Sequence, residues 1–152
     1  MDGWTYVWLI GLVVLLTILY LQERRRSANI RSLAKRSGFH FLGRGVPRSL
    51  SLRGTPLERA TSIWNVVDGD GSGVRMIAFD CKIGAGKGAW RRTVIAVEAH
   101  DKVLNQLASH SDLTVDHSGS WAIFYRPKSW SVFHAALMPV DELEARLKAI
   151  VG

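Results

Sequence analysis

The sequence predicts an α+β protein, with one N-terminal transmembrane helix followed by a small domain that has a largely antiparallel sheet and two or three helices. Residues 3–22 contain no charged side chain and are followed at once by a glutamate and three arginines. Short β-favouring segments then follow one another between Gly- and Asp-rich turns, which favours antiparallel pairing over alternating strands and helices. Residues 139–151 show helical periodicity.

Residues 1–22 are predicted to be a transmembrane anchor. Twenty helical residues span about 30 Å, the thickness of a bilayer's hydrocarbon core. Trp4, Trp8 and Tyr20 lie near the two ends of this segment, where amphipathic rings meet the lipid headgroups. A cleaved signal peptide is the alternative, but it would begin with positive charge, have a shorter apolar run and end in small residues. This segment instead begins with Asp2 and runs directly into basic residues.

The charge distribution predicts which way the helix crosses the membrane. The chain of 152 residues has 20 Lys and Arg against 13 Asp and Glu. All 20 basic residues and 12 of the 13 acidic residues follow residue 22, so residues 23–152 carry a formal charge of +8. The positive-inside rule then places residues 23–152 in the cytoplasm and Met1 outside.

Residues 23–38 are predicted to form a basic juxtamembrane helix. Ile30, Leu33 and Ala34 recur at helical spacing, and Ser37-Gly38 is a stop signal. The opposite face is basic, and each Lys or Arg near an anionic membrane surface contributes roughly 1 kcal/mol to membrane binding. These residues also set topology, and the two roles are compatible. The candidate headgroup contacts are Arg24, Arg25, Arg26, Arg31, Lys35 and Arg36.

Residues 39–152 are predicted to be a cytoplasmic α+β domain, and their number suits a single domain. Residues 43–56 form a basic, Gly- and Pro-punctuated connection with room for one helical turn. The expected elements are a strand at 39–42, strands at 63–67 and 74–81 joined by the turn 68–73, a strand at 92–99, a helix at 102–109, strands at 113–115 and 120–125, and a helix at 139–151.

Periodicity also predicts which side chains of the later elements lie together. Alternation places Trp121, Ile123 and Tyr125 on one face of their strand. The closing helix has an apolar stripe and two charge pairs at the i,i+4 spacing. The stripe is Leu143, Leu147 and Ile150, and the pairs are Glu142 with Arg146 and Glu144 with Lys148.

Two Gly-rich segments resemble ligand loops but fit turns better. The segment 84–89, GAGKGA, lacks the first Gly and the Ser or Thr of a phosphate-binding loop, and it precedes a strand instead of a helix. The segment 68–72, DGDGS, resembles the start of a calcium loop, but the twelfth position is Phe79 and strands flank the loop. We therefore expect two hairpin turns.

The histidines and the single cysteine offer no recognisable metal or nucleophile pattern. No two of the five histidines have the H-x-x-x-H spacing. Cys81 cannot form an intrachain disulfide, which agrees with a reducing compartment. A catalytic thiol needs a setting that stabilises the thiolate, whereas free cysteine is commonly a core residue. We expect Cys81 to be buried, with His100 or His134 as the base if it were a nucleophile.

Basic residues stand beside tryptophans at two places, Arg91-Arg92 with Trp90 and Arg126-Pro127-Lys128 with Trp130. Single-stranded nucleic acids are bound by such pairs, which stack bases on rings and hold phosphates with arginine. No helix-turn-helix, RNP-like strand or zinc spacing accompanies them. For a membrane-tethered domain, the basic surface more simply faces anionic lipid or solvent, and an acidic patch on a protein partner is a further option.

The central block contains residues 64–69 (WNVVDG), a strand ending in Phe79-Asp80, and Arg92-Thr93-Val94 after a Gly-rich turn. In this order the motifs resemble those of a group of uncharacterised bacterial single-pass membrane proteins. Its members have an N-V-L-x-G strand, an F-D-Y strand and a T-V strand after one membrane helix and an arginine-rich patch. Tyr125-Arg126 fits their late strand, whereas Cys81 stands in the place of their aromatic residue.

This resemblance covers residues 30–100 and, more loosely, 113–152. It implies that the chain is a single-pass protein of the bacterial inner (plasma) membrane. The segment between the third strand and the late hairpin is shorter here, which leaves the full strand count open. The group has no assigned activity, so the resemblance implies no functional residue.

We expect a membrane-anchored binding or scaffolding domain on the cytoplasmic side, with the lipid bilayer and its anionic headgroups as partners and room for a protein partner. No catalytic residue, cofactor, metal or nucleic-acid partner is assigned. One alternative is an enzyme with an unrecognised site, using carboxylates such as Asp80 and Glu98 on neighbouring strands. Another is a subunit of a membrane complex, with Trp90 and Trp130 as candidate surface residues.

Overall fold

The computed structural model describes residues 3–98, 112–127 and 137–151, and within them it confirms the α+β class. The predicted helix at 102–109 lies outside the described residues. A single sheet of six antiparallel strands has the order β1-β2-β3-β4-β6-β5. The elements are α1 (Gly3–Ser37), β1 (His40–Arg44), β2 (Ala60–Gly71), β3 (Val74–Ile83), β4 (Trp90–Glu98), β5 (Thr114–Ser118), β6 (Trp121–Tyr125) and α2 (Val140–Val151).

The first helix is uninterrupted over 35 residues, or about 52 Å at 1.5 Å per residue. Its most apolar part is long enough to cross a membrane, and none of that 18-residue window is buried in the protein. The other end of α1 packs on the domain, where Ile30, Leu33 and Ala34 are buried. The predicted apolar face of the juxtamembrane segment is therefore confirmed, and that segment continues the apolar helix without a break.

The sheet separates two apolar clusters. On its helix face, the end of α1 and the stripe of α2 pack against alternate residues of β2, β3 and β4, among them Val67, Ala78 and Ile95. The predicted stripe of α2 (Leu143, Leu147 and Ile150) is buried there, and both predicted ion pairs of α2 form.

The opposite face of the sheet, which we call the loop face, is covered by the connection between β1 and β2. Leu50 and Leu57 of this connection are buried against the side chains that point away from the helices. The connection ends in a short 3₁₀ turn, Pro56–Arg59. Trp121 fixes the connection by donating a hydrogen bond from Nε1 to the carbonyl of Ser49 at 3.0 Å. The predicted common face of Trp121, Ile123 and Tyr125 is confirmed, since all three lie in the loop-face cluster.

The hairpin between β2 and β3 is tighter than the sequence suggested. Only Ser72 and Gly73 form the turn, with φ of 52° and 76°, which is the type I′ pattern of two-residue hairpins. Residues 68–71 belong to the strand instead. Gly69 is small for a packing reason, because a Cβ there would lie 2.0 Å from a ring carbon of Phe39.

Candidate functional site

A buried carboxylate fastens the first helix to the sheet. Asp80 on β3 has a side chain with no exposed surface, and Arg26 of α1 binds it with two hydrogen bonds. Nε of Arg26 donates to Oδ2 at 2.8 Å, and Nη2 donates to Oδ1 at 2.9 Å. A two-pronged contact of this kind is the strongest form of an arginine–carboxylate pair.

The same arginine reaches two further groups. Its Nη2 also donates to Oγ1 of Thr93 on β4 at 2.9 Å, and its Nη1 donates to the carbonyl of Met138 at 2.8 Å. Thr93 in turn donates to Asp80 at 2.7 Å and accepts from the backbone N–H of Met138 at 2.9 Å. We call Arg26, Asn65, Asp80, Thr93 and Met138 the clamp, since together they tie α1 to β2, β3, β4 and the segment before α2.

A β-bulge supplies the remaining member of the clamp. The pairing of β2 with β3 shifts register between Trp64 and Val67, and Asn65 adopts a left-handed φ of 54°. Bulges re-aim side chains. Here the bulge lets the amide of Asn65 donate to Asp80 at 2.9 Å from a buried position.

An open groove of about 690 Å³ lies beside the clamp, between α1 and the ends of β1, β2, β3 and β4. One wall is a single face of α1 formed by Glu23, Ser27 and Arg31, which follow one another at intervals of four residues. The floor includes Trp64 and Asn65. Four basic residues line this groove, namely Arg31, Arg44, Lys82 and Arg91.

Two of these cations lie over aromatic rings. The guanidinium carbon of Arg91 lies 5.6 Å from the ring centre of Trp64, and that of Arg31 lies 4.9 Å from the ring centre of Phe41. Glu23 is the one carboxylate among the described residues that line the groove, and it already accepts from Arg91 at 3.1 Å. The groove is therefore a net positive surface in which two guanidinium groups lie over aromatic rings.

Comparison of the chain with models of known protein families, with curated proteins and with solved structures gave no significant match.

One predicted headgroup contact, Arg26, is instead engaged within the protein. All three of its donor nitrogens are engaged inside the protein, and its side chain is only 15% exposed. The other five predicted residues are exposed, and two of them have partners: Arg31 lies over Phe41, and Arg36 pairs with Glu144 at 2.8 Å.

The two carboxylates considered for catalysis do not form a pair. Asp80 faces the helices and is saturated by the clamp. Glu98 is exposed at the far end of β4, in alternation with Val94 and Ala96 of the loop face. The structure therefore keeps these carboxylates on opposite sides of the sheet.

Cys81 is buried, as expected from the sequence. Its burial, together with the adjacent carboxylate of Asp80, raises the pKa of the thiol to about 12. A thiol with such a pKa is protonated at neutral pH and is a poor nucleophile. Both of its candidate bases, His100 and His134, lie outside the described residues.

The two Gly-rich segments lie at hairpins: residues 68–71 are the last residues of β2, and residues 84–89 form a connection. Residues 84–89 join β3 to β4 through a short 3₁₀ turn, Gly86–Gly88, so a strand and not a helix follows them. Within the described residues, no group of three His, Cys, Asp or Glu side chains is placed to hold a metal ion.

The neighbouring arginines of β4 serve different faces of the sheet. Arg91 lines the groove, whereas Arg92 is buried on the loop face between the rings of Trp90 and Tyr125, at 3.3 and 4.7 Å from their centres. Burial lowers the pKa of Arg92. Trp90 is thus stacked against an arginine and offers no free platform for a base on that side.

Large apolar side chains are scarce on the domain surface. Outside α1, Leu42 is the only exposed large hydrophobic residue among the described ones. Trp90 is half-buried and Trp130 lies outside the described residues. The described surface of the domain therefore has no broad apolar patch of the kind that marks a subunit interface.

The sequence pattern does not indicate Arg44, Lys82 or Trp64 as site residues. They lie on three strands, and the pairings of Arg44 with Trp64 and of Lys82 with Arg91 bring them to the same end of these strands. The available signal was the basic–aromatic composition of these strand ends. It becomes a site only once the register is known.

Proposed function

We propose that this chain is a single-pass membrane protein whose domain is a binding module held against the cytoplasmic surface of the membrane. The observation that carries the proposal is the continuity of α1. The same helix that exposes an apolar segment long enough to cross a bilayer enters the core of the domain and is fixed there by the clamp. The domain is thereby attached to the membrane without a flexible linker.

The geometry of α1 also supports a permanent anchor over a removable signal. A signal peptide ends at a cleavage site of small residues. Here residues 20–26 are helical and run from Tyr20 to the clamp arginine without a small residue. The chain is helical at the place where such a site would have to lie.

Charge supports the orientation with the domain in the cytoplasm. Arg24 and Arg25 follow the apolar segment directly and are exposed, so they stand at the level of the headgroups. Lys35 and Arg36 are 13 and 14 residues beyond Gln22, about 20 Å farther along the helix. The bilayer surface is therefore the partner of Arg24 and Arg25 and not of Lys35 and Arg36, with the bacterial inner membrane as the location implied by the resemblance.

Protease protection tests this proposal on the full chain. The protein with a C-terminal epitope is produced in a bacterial host, and membranes are washed with alkaline carbonate. We expect the protein in the pellet, with the epitope protected in intact spheroplasts and digested after detergent lysis. Recovery of the protein in the carbonate supernatant would refute the membrane anchor. Digestion of the epitope in intact spheroplasts would show the opposite orientation.

A further inference from the structure

We propose that the groove between α1 and the sheet binds the phosphate of an anionic glycerophospholipid headgroup, one molecule at a time. This inference rests on the proposed function, because it uses the position of the domain at the membrane. The proposed site is concave, takes one lipid and draws on residues of three strands, which distinguishes it from a general attraction of the basic juxtamembrane helix to lipid.

Charge is the first argument. The groove gathers Arg31, Arg44, Lys82 and Arg91 around a space of about 690 Å³. Its single carboxylate among the described lining residues, Glu23, is already paired with Arg91. Like charges brought together in a concavity repel one another, and an anion between them relieves that repulsion.

Position is the second argument. Glu23, Ser27 and Arg31 lie one, five and nine residues beyond Gln22, about 1.5, 7.5 and 14 Å along the helix axis. The headgroup layer is about 5–8 Å thick on each side of the hydrocarbon core. The wall of the groove therefore begins in that layer, and a lipid phosphate reaches the groove while its acyl chains stay in the bilayer.

Shape and preorganisation are the third argument. A volume of this size lies within the range of about 300–1,000 Å³ that is usual for small-ligand sites. Arg91 and Arg31 lie over the rings of Trp64 and Phe41, and a planar guanidinium suits two-pronged binding of phosphate. Within the described residues, Nε1 of Trp64 is buried without a hydrogen-bond partner.

Glu23 then acts as an internal competitor. Its carboxylate occupies Arg91 at 3.1 Å, so a phosphate that binds Arg91 has to displace it. Replacing Glu23 by glutamine removes the competing carboxylate and makes the net charge of the groove more positive by one unit. This variant is expected to bind anionic lipid more tightly.

The test uses the full chain in neutral detergent micelles and counts bound lipids by native mass spectrometry. Dihexanoyl-phosphatidylglycerol is titrated against the wild-type protein, with dihexanoyl-phosphatidylcholine and sn-glycerol 3-phosphate as separate arms. We expect one saturable phosphatidylglycerol site. Saturation with phosphatidylcholine at the same concentrations would refute recognition of an anion, and equally tight binding of glycerol 3-phosphate would refute the lipid as the ligand.

Two double variants locate the site. Arg44→Gln with Lys82→Gln removes two charges from the groove, whereas Arg48→Gln with Arg53→Gln removes two exposed charges from the connection that covers the loop face. We expect at least about tenfold weaker binding for the groove variant, a change of about twofold or less for the control, and tighter binding for Glu23→Gln. Equal losses in the two double variants would refute the groove.

The failure of this inference is distinguishable from failure of the proposed function. Carbonate resistance and protease protection depend on α1 and do not require a filled groove. If those results hold and no saturable lipid is found, the groove assignment falls alone. If the anchor fails, the protease experiment shows it before any lipid is added.

Discussion

Removing the arginine of the clamp is expected to destabilise the domain strongly. In Arg26→Met, an unbranched side chain of similar length keeps the apolar contacts of α1 but leaves the carboxylate of Asp80 without a cation. That carboxylate has no exposed surface, so water cannot replace the lost partner without opening the core. Breaking a buried ion pair from one side costs about 3–5 kcal/mol.

This cost is large against the total stability of a domain, which is about 5–15 kcal/mol. At about 3–4 °C per kcal/mol for a domain of this size, we expect the melting temperature to fall by roughly 10–20 °C. The assay is thermal unfolding of the full chain in detergent, followed by near-ultraviolet circular dichroism. Arg25→Met is the matched control, since it removes an exposed cation at the neighbouring position.

A double variant separates the ion pair from simple loss of packing. Arg26→Met with Asp80→Asn removes both charges, and we expect it to regain at least about 2 kcal/mol relative to the sum of the two single changes. A melting temperature for Arg26→Met within 2 °C of the wild type would show that the clamp contributes little. Strict additivity in the double variant would show that Arg26 and Asp80 act independently.

Three further predictions concern the sheet. Asn65→Gly keeps the left-handed backbone and should lower the free energy of unfolding by about 1–3 kcal/mol, because one hydrogen bond to a buried carboxylate is lost. Asn65→Ala should lower it further, because alanine does not favour that backbone conformation, and denaturant titration measures both variants. Gly69→Ala should lower stability by about 1–3 kcal/mol because its methyl meets Phe39, while Gly88→Ala, which has open space, should change little; equal effects would contradict the packing argument. The thiol of Cys81 has a higher pKa in the folded state than in the unfolded state. Its contribution to the free energy of unfolding is therefore fully present below the usual pKa near 9 and is lost as the pH rises toward about 12. Wild-type protein should therefore lose about 1.4 kcal/mol per pH unit more than Cys81→Ala above pH 9, and parallel pH profiles would refute this.

Sequence patterns were sufficient where a local rule decides the structure. The period of α1 identified Ile30, Leu33 and Ala34 as a packing face, and the stripe and ion pairs of α2 follow from the same rule. Alternation likewise placed Trp121, Ile123 and Tyr125 on one face. In each of these cases the information lies within a few consecutive residues.

The clamp could be predicted only in part. Arg26 precedes Ile30 by four residues and Leu33 by seven, so it lies on the apolar stripe of α1 and not on the basic face. Asp80 interrupts an apolar strand, and a buried carboxylate requires a partner. These two signals indicate that each residue turns inward, but pairing them requires the approach of α1 to β3, which is set by tertiary packing.

The groove and the β1–β2 connection are harder to predict from the sequence. Residues 45–59 have no apolar period, because this segment covers the sheet through single side chains such as Leu50 and Leu57. The basic residues of the groove are separated by up to 60 positions in the chain. A one-residue change in register would turn Arg44 or Lys82 away from the groove, so their proximity depends on a long-range property of the sheet.

The rigid union of α1 with the sheet also constrains how the domain meets other molecules. With α1 as the proposed membrane anchor, the direction in which the groove faces is set by rotation of the helix about its own axis. Its height above the lipid varies only with the tilt of that axis. A lipid that diffuses laterally in the bilayer would then meet the groove within the range of heights that this tilt allows.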